Sequence, residues 1–256
     1  NFQPSNEDFL ANISIPLRIG PIEALLLGID WSDGYVRANN MHLEINGQQG
    51  DFDSKRDVYR DCVAILLKRI HNYGFVSSDN YLKERKTRKG VAYRPLIEMN
   101  SAAICTWLVD DLGFPTGSGT YIDRRIPFNH LVGLRVRRGF LAGLISGLGS
   151  ANEYGDLVLE HKNEAFVEDI STLMTELGYS HSGVLLRETG FNNKPLKTPV
   201  WYIEVSPSEV RKLSRNHINT NLPSVGLFFN PRHYQLAFKW YYNNPPAQSG
   251  QHSRGF

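Results

Sequence analysis

The chain has 256 residues, with 28 lysines and arginines against 26 aspartates and glutamates and a formal net charge of +2. This balance excludes a bulk polycation, so a polyanionic partner would have to be engaged by local clusters of charge. The length suits one large or two intimate domains, no apolar run reaches the ~18 residues of a membrane span, and the two cysteines, Cys62 and Cys105, suit a reduced compartment without a disulfide framework. A soluble chain with no membrane partner is expected, and the opening NFQPSNEDFL, acidic and free of basic residues, reads as neither a secretory signal nor an Arg-rich presequence.

Pro16, Gly20 and Pro21 punctuate the entry to an apolar helix over Pro21–Trp31, with Glu23 at the positive end of its dipole. A strand around Met41–Ile45 and a turn-rich loop lead to an amphipathic helix over Arg56–Asn72, which places Val58, Cys62, Ile65, Leu66 and Ile70 on one face. Asn80–Met99 alternates as two strands joined by a basic turn, Ala102–Leu112 reads as a helix, and Gly113–Gly119 reads as a linker. The plan then repeats: a helix over Arg138–Gly147, a strand at Asp156–His161, a helix over Glu164–Leu177, strands near Gly183–Glu188 and Val200–Val205, and a helix from Ser208 to about Asn216. After Pro223 an aromatic-rich segment precedes NNPPAQSGQHSRGF, a composition that cannot build a core.

Two segments carry the repeat. Leu25–Tyr35 reads LLLGIDWSDGY and Phe140–Ser150 reads FLAGLISGLGS; with Gly28 and Gly34 set against Gly143 and Gly149 they superpose without a gap, and Asp33 falls opposite Leu148. Other landmarks recur in the same order. Leu43-Glu44 matches Leu159-Glu160, each read as the first strand after its helix; a helical stretch ending in Gly74 matches one ending in Gly178; Ile97-Glu98-Met99 matches Ile203-Glu204-Val205. The chain is an internal duplication.

These segments resemble the motif helices of the LAGLIDADG homing endonucleases of the single-chain, two-motif type, and the resemblance covers nearly everything from Gly20 to about Trp240. It implies an α+β fold of two pseudo-symmetric αββαββα halves, over 1–115 and 116–240 with an irregular tail over 241–256, whose antiparallel sheets form a nucleic-acid-binding saddle. It also implies a monomer with internal pseudo-twofold symmetry. The motif helices would touch through Gly28 and Gly143, where a missing side chain lets two backbones approach.

In that family one acid from each motif comes to the centre, and the pair binds divalent ions, usually magnesium, that activate water and stabilise the leaving oxygen. Asp33 matches that acid and is the implied catalytic metal ligand. The second motif is degenerate, with Ser146 and Leu148 where the family carries acids. Leucine offers no lone pair to a hard cation, so Mg2+ is implied for an active member and no cofactor otherwise. Asp30 reads as a structural or solvent-facing residue, Ser146 as the cap of a helix end, and Glu153 as a loop residue. Lys194 or Lys197 would be the basic residue that assists water; the sequence does not choose between them.

Nucleic-acid contact is expected from two hairpins. Lys83, Arg85, Lys86, Arg88 and Lys89 crowd KERKTRK, and Arg187, Lys194 and Lys197 stand in its counterpart; basic side chains on a two-stranded ribbon neutralise phosphates and reach base edges. Double-stranded DNA or structured RNA is the expected partner. Three readings follow: a nucleic-acid-binding protein derived from such an endonuclease with double-strand cleavage lost or impaired; an RNA-binding maturase or a component of a ribonucleoprotein such as a mitochondrial ribosome, held by its neighbours through the tail; and an endonuclease carrying engineered inactivating substitutions. An intron-encoded, mitochondrial setting is favoured. The ends lack the Cys or Ser start and His-Asn finish of a self-splicing intein.

Overall fold

In a computed structural model of the chain, the residues described are 13–37, 42–46, 66–68, 70–72, 82–87, 90–117, 120–152, 154–189 and 195–215. The segments expected after Asn216, the loop residue Glu153 and most of the Arg56–Asn72 helix, Cys62 included, lie outside them.

Helix α1 spans Pro21–Asp33. Pro21 opens it, where a missing amide N–H costs nothing. Ala24, Leu25, Leu26, Leu27, Ile29 and Trp31 are at most 1 % exposed, so this helix is apolar on every side and belongs inside the molecule. It runs past the expected end at Trp31 because the Gly34 N–H still closes onto the Asp30 carbonyl.

Two α-helices lie nearer the middle of the chain. Helix α2 (Ala102–Thr106) starts under the side chain of Ser101, which accepts from the Ile104 N–H, and widens into a π-helical turn over Trp107–Asp111. The second motif helix, α3, spans Leu134–Leu148. It begins a turn before the expected Arg138, because Gly133 at φ 93° sets the break in the chain and the early Arg137 is neutralised by Glu176 at 2.5 Å.

α1 and α3 cross at their glycines. A Cβ on Gly28 would overlap the Phe140 carbonyl oxygen and stand 2.8 Å from Leu144 N and 2.9 Å from Gly143 Cα. A Cβ on Gly143 would overlap the Leu25 carbonyl oxygen and stand 2.8 Å from Ile29 N and from Gly28 Cα. Leu25 and Phe140 are matched positions in the two motifs, as are Ile29 and Leu144. The crossing is therefore its own image under exchange of the halves, the mark of a local pseudo-twofold axis.

Each motif helix runs straight into a four-stranded antiparallel sheet. The first contains β1 (Gly34–Arg37), β2 (His42–Asn46), β3 (Leu82–Thr87) and β4 (Gly90–Asn100) in the order β1-β2-β4-β3. The second contains β5 (Gly149–Ala151), β6 (Leu157–His161), β7 (Leu185–Thr189) and β8 (Pro195–Val205) in the order β5-β6-β8-β7. Leu43-Glu44 and Leu159-Glu160 thus lie in the second strand of each sheet and not the first as expected. β1 and β5 hold four and three residues and start at the helix end itself, too short for a period of two to show.

Behind the sheets, residues 66–68 and 70–71 are helical and bring Leu66, Leu67 and Ile70 into the core. Their counterpart is α4 (Glu164–Glu176), capped by Asn163, whose side chain accepts from the Phe166 N–H. α4 ends on Gly178 at φ 78°, with the Tyr179 N–H on the Met174 carbonyl and the Gly178 N–H on the Thr175 carbonyl, a left-handed C-terminal cap that favours glycine. α5 (Pro207–Arg215) closes the second half. Val36, Met99, Leu157, Leu159, Ile203 and Val205 face the helices and join the two halves in one core.

Replacing Gly28 or Gly143 by alanine should force the motif helices apart and lower stability by about 3 kcal/mol. Thermal unfolding of the two variants should show near-equal losses, because the crossing is symmetric.

Candidate nucleic-acid interface and motif helix ends

The ends of α1 and α3 have one geometry. Gly34 follows α1 at φ −77°, ψ 150° and Gly149 follows α3 at φ −66°, ψ 135°, each donating its N–H to the carbonyl four residues back, Asp30 and Ile145. Neither glycine needs a left-handed backbone. Space requires them, since a Cβ at Gly34 would overlap the Asp30 carbonyl oxygen and one at Gly149 the Ile145 carbonyl oxygen.

Their chemistry differs. Asp33 closes α1 with its backbone; its side chain lies outside the described residues. Leu148, at the matched position, packs half-buried against the core. Ser146 does not cap the helix end: its hydroxyl donates to the Ala142 carbonyl at 2.8 Å, one turn back in the same helix, the usual outlet for a serine buried mid-helix. Asp30 is not solvent-facing. It is 2 % exposed, its Oδ1 accepts no hydrogen bond, and burial pushes its pKa well above the ordinary carboxylate value, with the nearby Arg124 charge acting in the opposite sense.

Sequence reasoning missed Arg124, the residue that dominates the end of α1. It is 5 % exposed, and its guanidinium donates to the carbonyl oxygens of Trp31 at 2.6 Å, Ser32 at 3.1 Å and Gly34 at 2.9 Å. It also lies over the Phe114 ring, 5.2 Å from the centroid. The linker that carries it is tied to the second half: the Asn163 side chain donates to the Arg124 carbonyl at 2.8 Å, Arg125 grips Asp169 with two bonds of 2.8 and 2.7 Å, and the Ile126 N–H donates to Asp169 at 2.8 Å. Trp31 completes the joint by donating its indole N–H to the Arg125 carbonyl at 2.8 Å, wedged edge-on between Phe114 and Phe140. Three consecutive residues, Arg124, Arg125 and Ile126, thereby fix the carboxyl end of α1 to α4 and its cap.

At the end of α3 stands the Leu148 hydrocarbon, at the end of α1 three carbonyls are engaged by a guanidinium, and among the described residues no three of His, Cys, Asp and Glu gather as a cation site.

β3 and β4 pair Lys83 with Arg94, Arg85 with Ala92 and Lys86 with Val91, so three of the five basic positions lie in one ribbon; Arg88 and Lys89, between the strands, lie outside the described residues. In the second half, Arg187 sits on β7 and Lys197, exposed, on β8. Lys194 lies outside the described residues. β8 begins at Pro195, five residues before the expected start, which makes Lys197 a strand residue. Arg187 is engaged within the chain, by Glu160 at 2.9 Å and by the Tyr202 ring 4.5 Å from its guanidinium. Leu159-Glu160 was legible as a repeat landmark; its role as the partner of Arg187 was not.

The buried Asp30 gives a pH test. A raised folded pKa means that the carboxyl holds its proton more tightly folded than unfolded, so its contribution is present below the unfolded value of ~3.9 and is lost as pH rises through the folded value. Asp30→Asn should therefore raise the melting temperature relative to the unaltered chain at pH 8 and give no gain at pH 3, a comparison that calorimetry at the two pH values makes directly.

No protein-family model and no curated protein matches the chain. Among solved structures it is similar to I-DmoI in complex with DNA and Mn, at 16 % identity and a TM-score of 0.48 over 80 % of this chain and 100 % of that one; I-DmoI is a homing endonuclease. It is also similar to full-length DUF199/WhiA from Thermatoga maritima, at 12 % identity and a TM-score of 0.48 over 91 % of this chain and 64 % of that one. A third similarity is to the N-terminal LAGLIDADG domain of DUF199/WhiA, at 11 % identity and a TM-score of 0.46 over 89 % of this chain and 98 % of that one.

Proposed function

We propose that the chain is a DNA-binding protein of LAGLIDADG type that holds a duplex without making double-strand breaks. The observation that carries this reading is the asymmetry of two helix ends with the same backbone: Asp33 stands at the end of α1, and Leu148 at the end of α3. Cutting both strands in this family needs an acid from each motif, and a leucine cannot hold a hard cation. Affinity is assigned to the β3/β4 ribbon and to Lys197, where cations sit on antiparallel strands and can neutralise phosphates. Arg187, paired with Glu160, contributes shape more than free charge.

The test is selection of duplexes from a random pool, followed by measurement of affinity against salt and of cleavage in Mg2+ or Mn2+. Binding should weaken as salt rises, replacing Arg85 and Lys86 by alanine should lower the slope by about one unit for each phosphate no longer neutralised, and no linear double-strand product should form. Retention no better than that of a basic control protein would remove the binding half of the proposal. Two-strand cleavage abolished by Asp33→Ala would remove the other half.

A further inference from the structure

We infer that the guanidinium of Arg124 is the resident cation of the carboxyl end of α1, an internal charge on the backbone carbonyls that flank Asp33. The inference goes beyond the proposed function, because it concerns what the helix end binds and not what the sheets bind. The last carbonyls of a helix have no intrahelical partner and carry the negative end of its dipole. In α1 two of these, Trp31 and Ser32, together with the Gly34 carbonyl just beyond, converge on one guanidinium at 2.6 to 3.1 Å.

The guanidinium is buried, and the nearby Asp30 is held towards its neutral form by burial. A buried charge is tolerated only with compensation. Here the compensation comes almost wholly from backbone oxygens of the motif helix, which marks the place as a cation site and not an ordinary ion pair.

Its occupant is delivered by the other half of the molecule. Asn163 and Asp169 belong to the cap and body of α4, and they hold the backbone of Arg124, the side chain of Arg125 and the N–H of Ile126. The cation therefore cannot leave without unpinning the linker. With a fixed positive charge on the carbonyl of Ser32, next to Asp33, a dication at the same helix end meets both an occupied oxygen and an unfavourable Coulomb interaction.

Arg124→Lys and Arg124→Met separate charge from bulk. Thermal unfolding of each variant and of the unaltered chain would be followed in EDTA and with excess MnCl2, with no nucleic acid present, so the outcome does not depend on whether a duplex binds. The unaltered chain should melt at the same temperature in EDTA and in Mn2+. Arg124→Met should melt about 10 °C lower, and Arg124→Lys should recover at least half of that loss. Failure of the methionine variant alone to fold counts with this outcome, because the charge is what the two variants differ in. Equal losses in lysine and methionine, or failure of both to fold, would show that the site needs the shape of arginine and not a cation. A saturable Mn2+-dependent rise in the unaltered chain, lost in Asp33→Asn, would show that the helix end takes a dication after all. Either result overturns the inference.

Discussion

The close crossing of α1 and α3 at Gly28 and Gly143 is the constraint on which the rest of the molecule depends. A Cβ on either glycine would stand within 2.9 Å of the facing backbone, so the crossing has no room for any side chain. Nor does it leave freedom for the ends of the helices, which are fixed about one and a half turns further on. Because both helices pass directly into strands at Gly34 and Gly149, the crossing sets where each sheet begins. One pair of glycines thus places both sheets.

The consequence of that arrangement is a concentration of backbone carbonyls at the buried ends of the helices, and the two halves deal with it differently. In the first half a linker arginine supplies charge to three carbonyls and is held in turn by α4 of the second half. In the second, Leu148 packs against the core beside the matched helix end. The two helix ends thus share one backbone geometry and differ in their side-chain chemistry. Packing energy comes from the whole length of the apolar helices; a ligand set comes from single residues, and a single substitution removes it.

Features that a side chain alone must satisfy were legible in the sequence. The resemblance implied a close approach at Gly28 and Gly143, the LLLGI and FLAGLI strings announced apolar helices, and the Ile-Glu-Met and Ile-Glu-Val landmarks fell in matching strands, β4 and β8, as a repeat requires. Features whose partners are backbone atoms were not. Arg124 bonds to carbonyls that every residue has, so no pairing motif points to it. Asp30 was left open between a structural and a solvent-facing place, and its burial decides for the first; its position opposite Ile145 in the repeat already pointed there. β1 and β5 were hidden by their length, and the outer half of β8 by Pro195 and Pro199, residues that normally argue against a strand interior.

The proposed binding through the strands, without a metal at the helix ends, predicts one outcome of a single titration. The affinity of the chain for a selected duplex, measured at fixed salt in excess EDTA and again in Mg2+, tests this most directly. Equal affinity in both, within about twofold after allowing for screening, is the predicted result. Binding that disappears in EDTA and returns with Mg2+ would contradict it, because it would place a divalent ion back among the groups that hold the nucleic acid.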